Sequence, residues 1–535
     1  MSAPASLPQR LPVVVSIGFA GSRMLLEADS ALSGDERAAY VREVGERLRA
    51  LLAELPGRLK WQAHHFGCGI SQVAIGADLL FTEACAVLGI SQRIFLPQAR
   101  EEYLSARGSD GSPDFPDDGK AEALRLLASP HIIHERVVSH SKDRICRFED
   151  TNLEILKASD VIVCLIRAGA QGKRGGTSEL LDYGKALGKP VLEIQVHEVD
   201  GRPEIMEKWH VPGHWAPPEL PEDLQGATIA GDMSAPSPGV PASSAKYLDA
   251  IQTMGSAAAD WRQSVFKRAA FVVIGAHLLA TLFALLALKM SGGEGGHGMV
   301  DLLLSVELLL LLAGFSVHFA LHHSHIVRVW AVCRLSAEIS RSVSSLRGLH
   351  VHLEHLFKLP FPATLRPLLR TVNVLNLAST KGSPEPWEEK RRHYLESRMD
   401  GPDGQIAYYR HKYRDAVNKL RWASRIFNAA TVTAFLATAG KLLFHPGAVP
   451  SGVLGICAVL LPVLAVGALS LAASFDLEAR SHTYQEMLEY LQKIRPLFAA
   501  AKSERAFTHL MLQTESRLLG ETANWASRRS FTGVT

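Results

Sequence analysis

The sequence predicts an α/β domain with a parallel sheet, followed by an all-α membrane region of four transmembrane helices in two hairpins. Short runs of β-branched residues alternate with helix-length runs over the first 200 residues, which is typical of a parallel sheet covered by helices on both faces. Farther along, four apolar segments are each about long enough to cross a bilayer as a helix. These segments are residues 269–288, 300–321, 426–444 and 452–474.

The elements of the α/β domain follow in order from this alternation. The predicted strands are residues 12–17, 61–66, 93–96, 160–166 and 190–196. Helical spacing with mixed charge predicts helices over residues 35–55, 77–88, 142–158 and 177–187. Residues 201–245 are rich in Pro, Gly and Ser, which predicts a linker whose first half, with Trp209 and Trp215, can pack back onto the sheet.

The membrane region repeats the order helix, hairpin, helix. A helix is predicted from Lys246 into the first hairpin, and a basic amphipathic helix over residues 322–349 follows that hairpin. Residues 359–386 look irregular, whereas residues 386–425 and 476–526 are helical in spacing on either side of the second hairpin. The predicted divisions are an α/β domain at 1–200, a linker at 201–245, and hairpin regions at 246–385 and 386–535.

The charges that flank the apolar segments predict the orientation of the chain. Each hairpin is closed by a short loop, residues 289–299 in the first and 445–451 in the second. Lys289 is the only lysine or arginine in these two loops. The opposite ends of the segments are rich in basic residues: Arg262, Lys267, Arg268, Arg328, Arg334, Arg410, Lys412, Arg414, Lys419, Arg421 and Arg425. The positive-inside rule therefore places both termini and the glycine-rich domain in the cytoplasm. The alternative for a single segment is a buried core helix of a soluble bundle.

Composition narrows the classes of function. The net charge of +3 over 535 residues is too small to indicate nucleic-acid binding. The six cysteines form no CxxC pair, so the sequence implies neither a metal site nor a disulfide framework. The first eleven residues lack a basic region followed by an apolar run, so we expect no cleaved signal peptide.

Three glycine-rich turns follow predicted strands, and each could approach a phosphate through backbone N–H groups. Because ligands of open α/β sheets bind at the carboxyl ends of strands, we expect the three turns to converge there. The first turn is residues 18–23, the second is residues 67–78, and the third is residues 172–179. The candidate ligand-binding residues are Gly18, Gly21, Ser22, Arg23, Gly76, Asp78, Lys173, Arg174, Gly175, Gly176, Thr177 and Glu179.

Two acidic residues in these turns have two possible roles each. Glu179 is either a general acid/base or ribose-hydroxyl acceptor, or a capping partner at a helix start. Asp78 either binds a ligand hydroxyl or caps its helix. No residue is assigned as catalytic, although Glu179 would be the candidate in an enzyme.

The same turns resemble the SLOG superfamily, which includes the lonely-guy phosphoribohydrolases and the Smf DNA-processing proteins. The resemblance is carried by the turn at 18–23, the Gly-Ala-Asp helix start at 76–78, the turn at 174–179 and the Gly-Lys-Pro-Val run at 188–191. It covers residues 12–197 and implies a Rossmann-like nucleotide-binding domain. In the phosphoribohydrolases a spacer and a further glycine separate the two glycines from the threonine, whereas here Gly175 and Gly176 directly precede Thr177, and Arg174 replaces a proline or glycine. This departure from the family pattern argues against catalysis more than it argues against ligand binding.

The C-terminal third resembles SLATT domains, the two-transmembrane effectors associated with SLOG proteins in prokaryotic nucleotide-signalling immunity. The matching features are residues 394–398, Gln405, the basic helix at 408–425, the two apolar helices and residues 521–525. The first hairpin matches less clearly. The resemblance implies a membrane effector of antiphage defence that acts as a homo-oligomer. Its ligand would be a nucleotide second messenger, of the cyclic ADP-ribose type or a cyclic oligonucleotide, with no cofactor.

Two other classes of function remain open. One is a membrane-tethered nucleotide or NAD glycosidase that uses Glu179 with Arg23 or Arg174. The other is a nucleic-acid-binding membrane protein, which the near-neutral charge of residues 12–197 disfavours, so no nucleic-acid partner is expected.

Ionisable residues within the apolar segments are costly in lipid and usually face a bundle interior or a water path. Glu307 is therefore a pore candidate, and its alternative is a neutral carboxyl bonded to a neighbouring helix.

The histidine-rich segments do not have the pattern of a metal site. The histidines of the 322–325 cluster point in different directions on a helix, and the pairs His64/His65 and His131/His134 are equally unconvincing as metal ligands. We expect no metal site.

Overall fold

A computed structural model describes residues 9–27, 30–107, 111, 113–170, 172–226, 228–229, 244–291, 297–347, 349, 351, 353–379, 386–445 and 447–531. The chain divides into two compact units. Unit 1 consists of Met1–Ile251, Arg347–Leu353 and Ala363–Ser383. Unit 2 consists of Gln252–Leu346, Glu354–Pro362 and Pro384–Thr535. Most of the second half of the predicted linker, residues 230–243, lies outside the described residues.

Unit 1 is built on a seven-stranded sheet with the order β5-β4-β3-β2-β6-β7-β8. All neighbouring strands are parallel except β7 and β8, and β1 and β9 form a separate antiparallel pair. The strands are β1 (Gln9–Arg10), β2 (Val13–Gly21), β3 (His65–Ser71), β4 (Ser91–Leu96), β5 (Ile132–Val137), β6 (Val161–Arg167), β7 (Val191–Val199), β8 (Arg202–His210) and β9 (Thr228–Ile229). The predicted parallel sheet is thus a mixed sheet in which parallel pairs dominate.

Helices cover both faces of this sheet. Those of the α/β part are α1 (Gly34–Arg58), α2 (Ala77–Val87), α3 (Arg100–Leu104), α4 (Asp117–Leu127), α5 (Arg144–Ala158), α6 (Thr177–Ala186) and α7 (Glu222–Gln225). Val163 of β6 joins the core that α1 and α2 cover, while the adjacent Ile162 and Cys164 join the core beneath α5 and α6. This alternation follows from the two-residue period of a strand and makes three layers.

Two strands of the seven-stranded sheet escaped the sequence analysis because both carry many polar residues, and the short pair β1 and β9 was not predicted either. β5 contains His134, Glu135 and Arg136, and it lies at one edge of the sheet, where polar side chains can reach water. β8 at the opposite edge alternates polar and apolar residues, and the sequence analysis placed it in the linker. That placement was wrong for Arg202–His210. Trp209 and Trp215 pack against the core of the sheet.

The remaining helices are α8 (Ser244–Met290), α9 (His297–His323), α10 (Ile326–Leu346), α11 (Glu354–Phe357), α12 (Arg366–Ser379), α13 (Trp387–His393), α14 (Gln405–Phe444), α15 (Ala448–Ser474), α16 (Leu477–Ala500) and α17 (Glu504–Phe531). A 3₁₀ turn, Ala363–Leu365, precedes α12, and a π-helical segment, Tyr394–Met399, follows α13.

Helix α12 belongs to unit 1 and corrects the expectation of an irregular stretch over residues 359–386. The hydroxyl of Thr371 accepts a 3.1 Å hydrogen bond from the buried N–H of Val14 in β2. Arg370 forms an ion pair with Asp160 and donates a 2.8 Å hydrogen bond to the carbonyl of Lys157. These contacts join α12 to the middle of the sheet.

Unit 2 contains four helices that are long and apolar enough to cross a membrane: α8, α9, α14 and α15. They contain all four predicted segments, so this prediction is confirmed at the level of length and composition. The long helices predicted beside the second hairpin are interrupted instead. A turn with Gly401 and Gly404 separates the π-helical segment from α14, and a break after Ala500 separates α16 from α17.

Candidate functional site

A cleft of about 510 Å³ lies in unit 1 where β2, β3 and β6 end. Residues from all three predicted turns line it, together with one face of α5. The lining residues from the turns include Gly21, Ser22, Arg23, Asp78, Lys173, Arg174, Gly175, Gly176 and Thr177. The convergence follows from the parallel pairing of β3, β2 and β6, which brings their carboxyl ends together.

The first turn begins later than the sequence indicates, because β2 continues to Gly21. Gly18 therefore lies within the strand and outside the cleft lining, and a Cβ on it would come within 2.3 Å of the hydroxyl of Ser159. Gly21 has no room for a side chain either, because its Cβ would lie 2.2 Å from that of Ala77. Gly18 thus serves close packing, whereas Gly21 lets the start of α2 approach the cleft.

Ser22 closes the first turn against β6. Its N–H donates to the carbonyl of Leu165 at 2.8 Å, and its hydroxyl accepts from the N–H of Arg167 at 3.0 Å. The carbonyl of Ser22 also accepts from the N–H of Ala77 at 3.2 Å, at the start of α2. Ser22 therefore ties the ends of β2 and β6 to α2.

The second turn depends on Gly76. Its φ of +86° lies in the left-handed region, and a Cβ on it would come within 2.3 Å of the carbonyl oxygen of Arg23. The neighbouring glycines of this predicted turn, Gly67 and Gly69, lie inside β3 instead. Only the later part of the 67–78 stretch therefore borders the cleft.

Asp78 is buried at the start of α2 and accepts a 3.3 Å hydrogen bond from the N–H of Gln72. Burial raises the pKa of its carboxyl to about 7. Hydrogen bonds from backbone N–H groups, the largest from Gln72, and the charge of Arg23 act in the opposite direction. Asp78 therefore holds the turn before α2 and borders the cleft, but the 3.3 Å hydrogen bond to its carboxyl comes from that turn and not from an N–H group of α2. Its role in ligand binding stays a prediction.

The third turn leads into α6, whose first residues line the cleft. Gly175 has a φ of +73°, and a Cβ on Gly176 would come within 2.8 Å of the carbonyl oxygen of Lys173. The N-cap residue of α6, Gly176, has no side chain that could bond to the first N–H groups of the helix. The first N–H groups of the helix are therefore available to an anion in the cleft, where the helix dipole favours negative charge.

Glu179 makes the contacts of a helix-start residue. One oxygen of its carboxylate accepts a 2.6 Å hydrogen bond from the N–H of Gly175, and the other accepts a 2.7 Å bond from the hydroxyl of Tyr183. Its side chain is not among those that line the cleft. These contacts favour the capping role over the catalytic one.

The α5 face is a part of the site that the sequence analysis missed. Arg144, Phe148 and Asn152 follow one another at intervals of four residues and all line the cleft. That spacing was visible in the predicted helix and marks one face of it. Asn152 is buried and donates to the carbonyls of Gly175 and Gly176 at 3.0 and 3.2 Å.

Positive charge dominates the cleft. Its lining includes Arg23, Arg144, Arg167, Lys173 and Arg174, whereas Asp78 is the acidic residue of the lining. Two nearby carboxylates hold some of these cations in place. Asp114 accepts from Arg23 at 3.1 Å and from Arg144 at 2.7 Å, and Glu149 accepts from Arg174 at 2.9 Å. The remaining charge suits an anionic ligand of about nucleotide size.

Glu307, the pore candidate, is half-buried in α9. Within the described residues it makes no hydrogen bond or ion pair. The histidine within the preceding helix, His277 of α8, donates from Nδ1 to the carbonyl of Val273 at 2.7 Å and lies 3.3 Å from where a Cβ on Gly314 of α9 would be. The pore role of Glu307 stays a prediction.

One cluster in the described residues has the composition of a metal site: His64, His65 and Glu219. The Nδ1 of His65, however, accepts a 2.9 Å hydrogen bond from the N–H of Gln62, so its proton is on Nε2 and is donated to the carbonyl of Pro218 at 3.0 Å. A histidine that binds a metal normally donates from its other nitrogen. The geometry therefore favours a hydrogen-bonded cluster, in which His64 contacts Glu219 at 3.0 Å.

No protein-family model matches this chain, and neither a curated protein nor a solved structure matches it. The assignment of a function accordingly depends on the cleft and on the four apolar helices.

Proposed function

We propose that this protein is a membrane effector of bacterial antiphage defence. In this proposal the α/β unit senses a nucleotide-derived second messenger, and the four apolar helices then permeabilise the inner membrane. The proposal rests on one observation. The same chain has a cationic cleft at the carboxyl ends of parallel strands and four helices that are long and apolar enough to cross a membrane. The resemblance to SLOG and SLATT domains supports the same proposal.

The chemistry of the cleft supports a phosphate-containing ligand. Arg144 of α5 and Lys173 of the third turn both line the cleft, and so do the first residues of α6, Thr177 and Ser178. Phe148 and Met24 add apolar surface on which a base can pack. A cyclic ADP-ribose-type molecule or a cyclic oligonucleotide has both the anionic groups and the bases that such a lining would bind.

The exposed surface of the apolar helices supports insertion into lipid. Leu308 of α9, Phe435 of α14 and Val466 of α15 are 67%, 71% and 61% exposed. Only 6% of the most apolar window of α9 and of α15 is buried. Such continuous apolar surface is unfavourable in water and favourable in a bilayer.

The resemblance to SLATT effectors and the position of Glu307 support action as a homo-oligomer, and the basic residues that flank the spans support cytoplasmic termini. Ligand binding would change the self-association of the α/β unit, and helices from several subunits would then line a water path. The lipid membrane, the nucleotide signal and other copies of the chain are the proposed partners.

Dye release from liposomes tests the proposal. The purified full chain is reconstituted in liposomes loaded with a self-quenching dye, and cyclic ADP-ribose and cyclic dinucleotides are added separately. We expect at least one of them to bind and to trigger release. Binding without release and without a change in oligomeric state would contradict the proposal.

A matched pair of variants separates sensing from insertion. Lys173→Gln removes a cation that lines the cleft, whereas Lys120→Gln removes one from α4, outside the lining. We expect only the first to weaken ligand-triggered release. Incubation of the purified chain with NAD or nucleoside monophosphates tests the glycosidase alternative, since a free base that is released by the wild type and lost in Glu179→Ala would favour the enzyme instead.

A further inference from the structure

A second cavity in unit 2, of about 380 Å³, combines an apolar wall with a cationic rim. Its wall includes Phe266, Phe271, Trp422, Ile426, Leu471 and Phe475. Its rim includes Lys267, Lys412, Lys419 and Arg480, with Asp415 as the acidic residue of the lining. The cavity is therefore amphipathic, and it shares none of its lining with the cleft of unit 1.

The cavity lies where the predicted spans begin and end. Phe271 is near the start of the first apolar segment, Ile426 begins the third, and Leu471 is near the end of the fourth. These are the ends that basic residues flank. In a membrane-inserted chain this place corresponds to the level of the lipid headgroups on the side with the basic residues.

The cations of the rim are close enough to repel one another. Burial and then the charges of Lys419, Lys412 and Arg480 lower the pKa of Lys267, whereas Asp415 acts in the opposite direction. Asp415 is itself engaged with Lys419 at 2.6 Å. The rim thus carries an excess of positive charge that an anion would neutralise.

The apolar wall remains partly uncovered. Phe271 is 56% exposed and Trp422 is 63% exposed, while Phe475 packs between Phe266 and Phe271 with ring centroids at 6.3 and 5.9 Å. Tryptophan and lysine together at the end of a span are typical of the membrane interface. A soluble phosphate compound would leave this wall in water, whereas a lipid would cover it with an acyl chain.

We propose that this cavity is a binding site for one anionic phospholipid, with the phosphate at the Lys267–Lys419 rim and an acyl chain along Phe271, Trp422 and Ile426. The inference rests on membrane insertion, which is part of the proposed function, but it does not depend on a nucleotide ligand.

Native mass spectrometry of the full chain in detergent tests the site. Phosphatidylglycerol and phosphatidylcholine with identical acyl chains are added in equal amounts. We expect the wild type to retain one phosphatidylglycerol in preference to phosphatidylcholine. The Lys267→Gln/Lys419→Gln variant should bind phosphatidylglycerol about tenfold more weakly, because it lacks two cations of the rim.

The matched control is Arg414→Gln/Arg421→Gln, which removes two exposed cations of α14 that lie outside the cavity lining. It should bind phosphatidylglycerol like the wild type. An equal loss in both double variants, or no preference for phosphatidylglycerol in the wild type, would overturn the proposal. Glycerol 3-phosphate in excess should not displace the lipid, and displacement would assign the site to a soluble phosphate instead.

A photoactivatable phosphatidylglycerol gives a readout that needs no variant. We expect cross-links in peptides that cover residues 263–271 and 412–426, and labelling confined to other regions would refute the site.

A chain that is monodisperse without detergent would overturn both the lipid site and the proposed function. Selective lipid binding without nucleotide-triggered dye release would support the lipid site and contradict only the proposed function.

Discussion

The side-chain amide of Gln72 donates a 3.0 Å hydrogen bond to Oδ1 of Asn152, and both residues are buried. The Nδ2 of Asn152 in turn donates to the carbonyls of Gly175 and Gly176. One side chain of α5 therefore joins the second turn of the cleft to the third. The distance between the two turns, and with it the shape of the cleft, depends on Asn152.

Asn152→Ala should loosen the cleft and lower stability together. The change leaves the Gln72 amide and the two glycine carbonyls without their partner, which costs about 1–3 kcal/mol in unfolding free energy. Binding of inorganic pyrophosphate should weaken by about tenfold, because the anion must then order the third turn itself. Calorimetry and thermal unfolding of the full chain measure the two effects. Lys157→Ala, an exposed change on the same helix, should alter neither, and unchanged binding in Asn152→Ala would contradict this role.

Arg144→Gln should weaken the binding of inorganic pyrophosphate by about tenfold, since a charge-assisted hydrogen bond contributes about 1.5–3 kcal/mol. Arg144 lines the cleft and is oriented by Asp114 at 2.7 Å. Titration calorimetry at low and high salt measures the change in affinity. The difference in pyrophosphate affinity between Arg144→Gln and the wild type should shrink at high salt. Arg125→Gln on α4, whose side chain pairs with Glu122 outside the cleft, is the control. Equal affinities for the Arg144 and Arg125 variants would rule out this contribution.

The sequence predicted the turns of the cleft because strand-then-glycine patterns are local. Gly76 and Gly175 both have positive φ, and both lie at the turns that the pattern indicated. Gly18 shows the limit of that pattern, because a glycine after apolar residues looks the same in the sequence whether it ends a strand or packs within one. The structure distinguishes these cases, since a Cβ on Gly18 would come within 2.3 Å of the hydroxyl of Ser159. Ser159 is distant in the sequence, so this contact cannot be read from the local pattern.

The parts of the structure that the sequence did not predict depend on distant pairs. Gln72 and Asn152 are 80 positions apart, and Val14 and Thr371 are 357 apart. Residues 359–386 contain Pro360, Pro362 and Pro367, which locally argue against a long helix. The four long apolar helices, in contrast, were predictable because an apolar run of that length has few other solutions.

Asp78 should make stability depend on pH. Its pKa is about 7 in the folded protein and 3.8 in an unfolded chain, so the folded state holds the proton over that interval. Stability therefore falls as pH rises from about 4 to about 7, by roughly 2 kcal/mol between pH 5.5 and 7.5. Thermal unfolding of the full chain in detergent should show this fall, and Asp78→Asn should reduce it. The same pH slope in both proteins would exclude Asp78 as its source.

Thr371→Val should remove the hydrogen bond that joins α12 to the sheet. The N–H of Val14 would lose its acceptor while it stays buried, which costs about 1–3 kcal/mol. Hydrogen–deuterium exchange of peptides that cover residues 13–21 should become faster at the Val14 amide. Thr371→Ser keeps the hydroxyl and should preserve the protection, so equal exchange in both variants would argue against the hydrogen bond.

Glu307→Gln should reduce ligand-triggered cation leakage from liposomes if Glu307 lines the proposed water path. A carboxylate in a pore attracts cations, and its neutral isostere keeps the volume without the charge, so potassium flux should fall on the order of tenfold. Asp301→Asn, near the start of the same helix, removes an equal charge away from the centre of the span and should change the flux less. Because both variants keep the apolar helices, reconstitution and oligomeric state should match the wild type. Equal fluxes for Glu307→Gln and the wild type would contradict the pore role and favour a contact with a neighbouring helix instead.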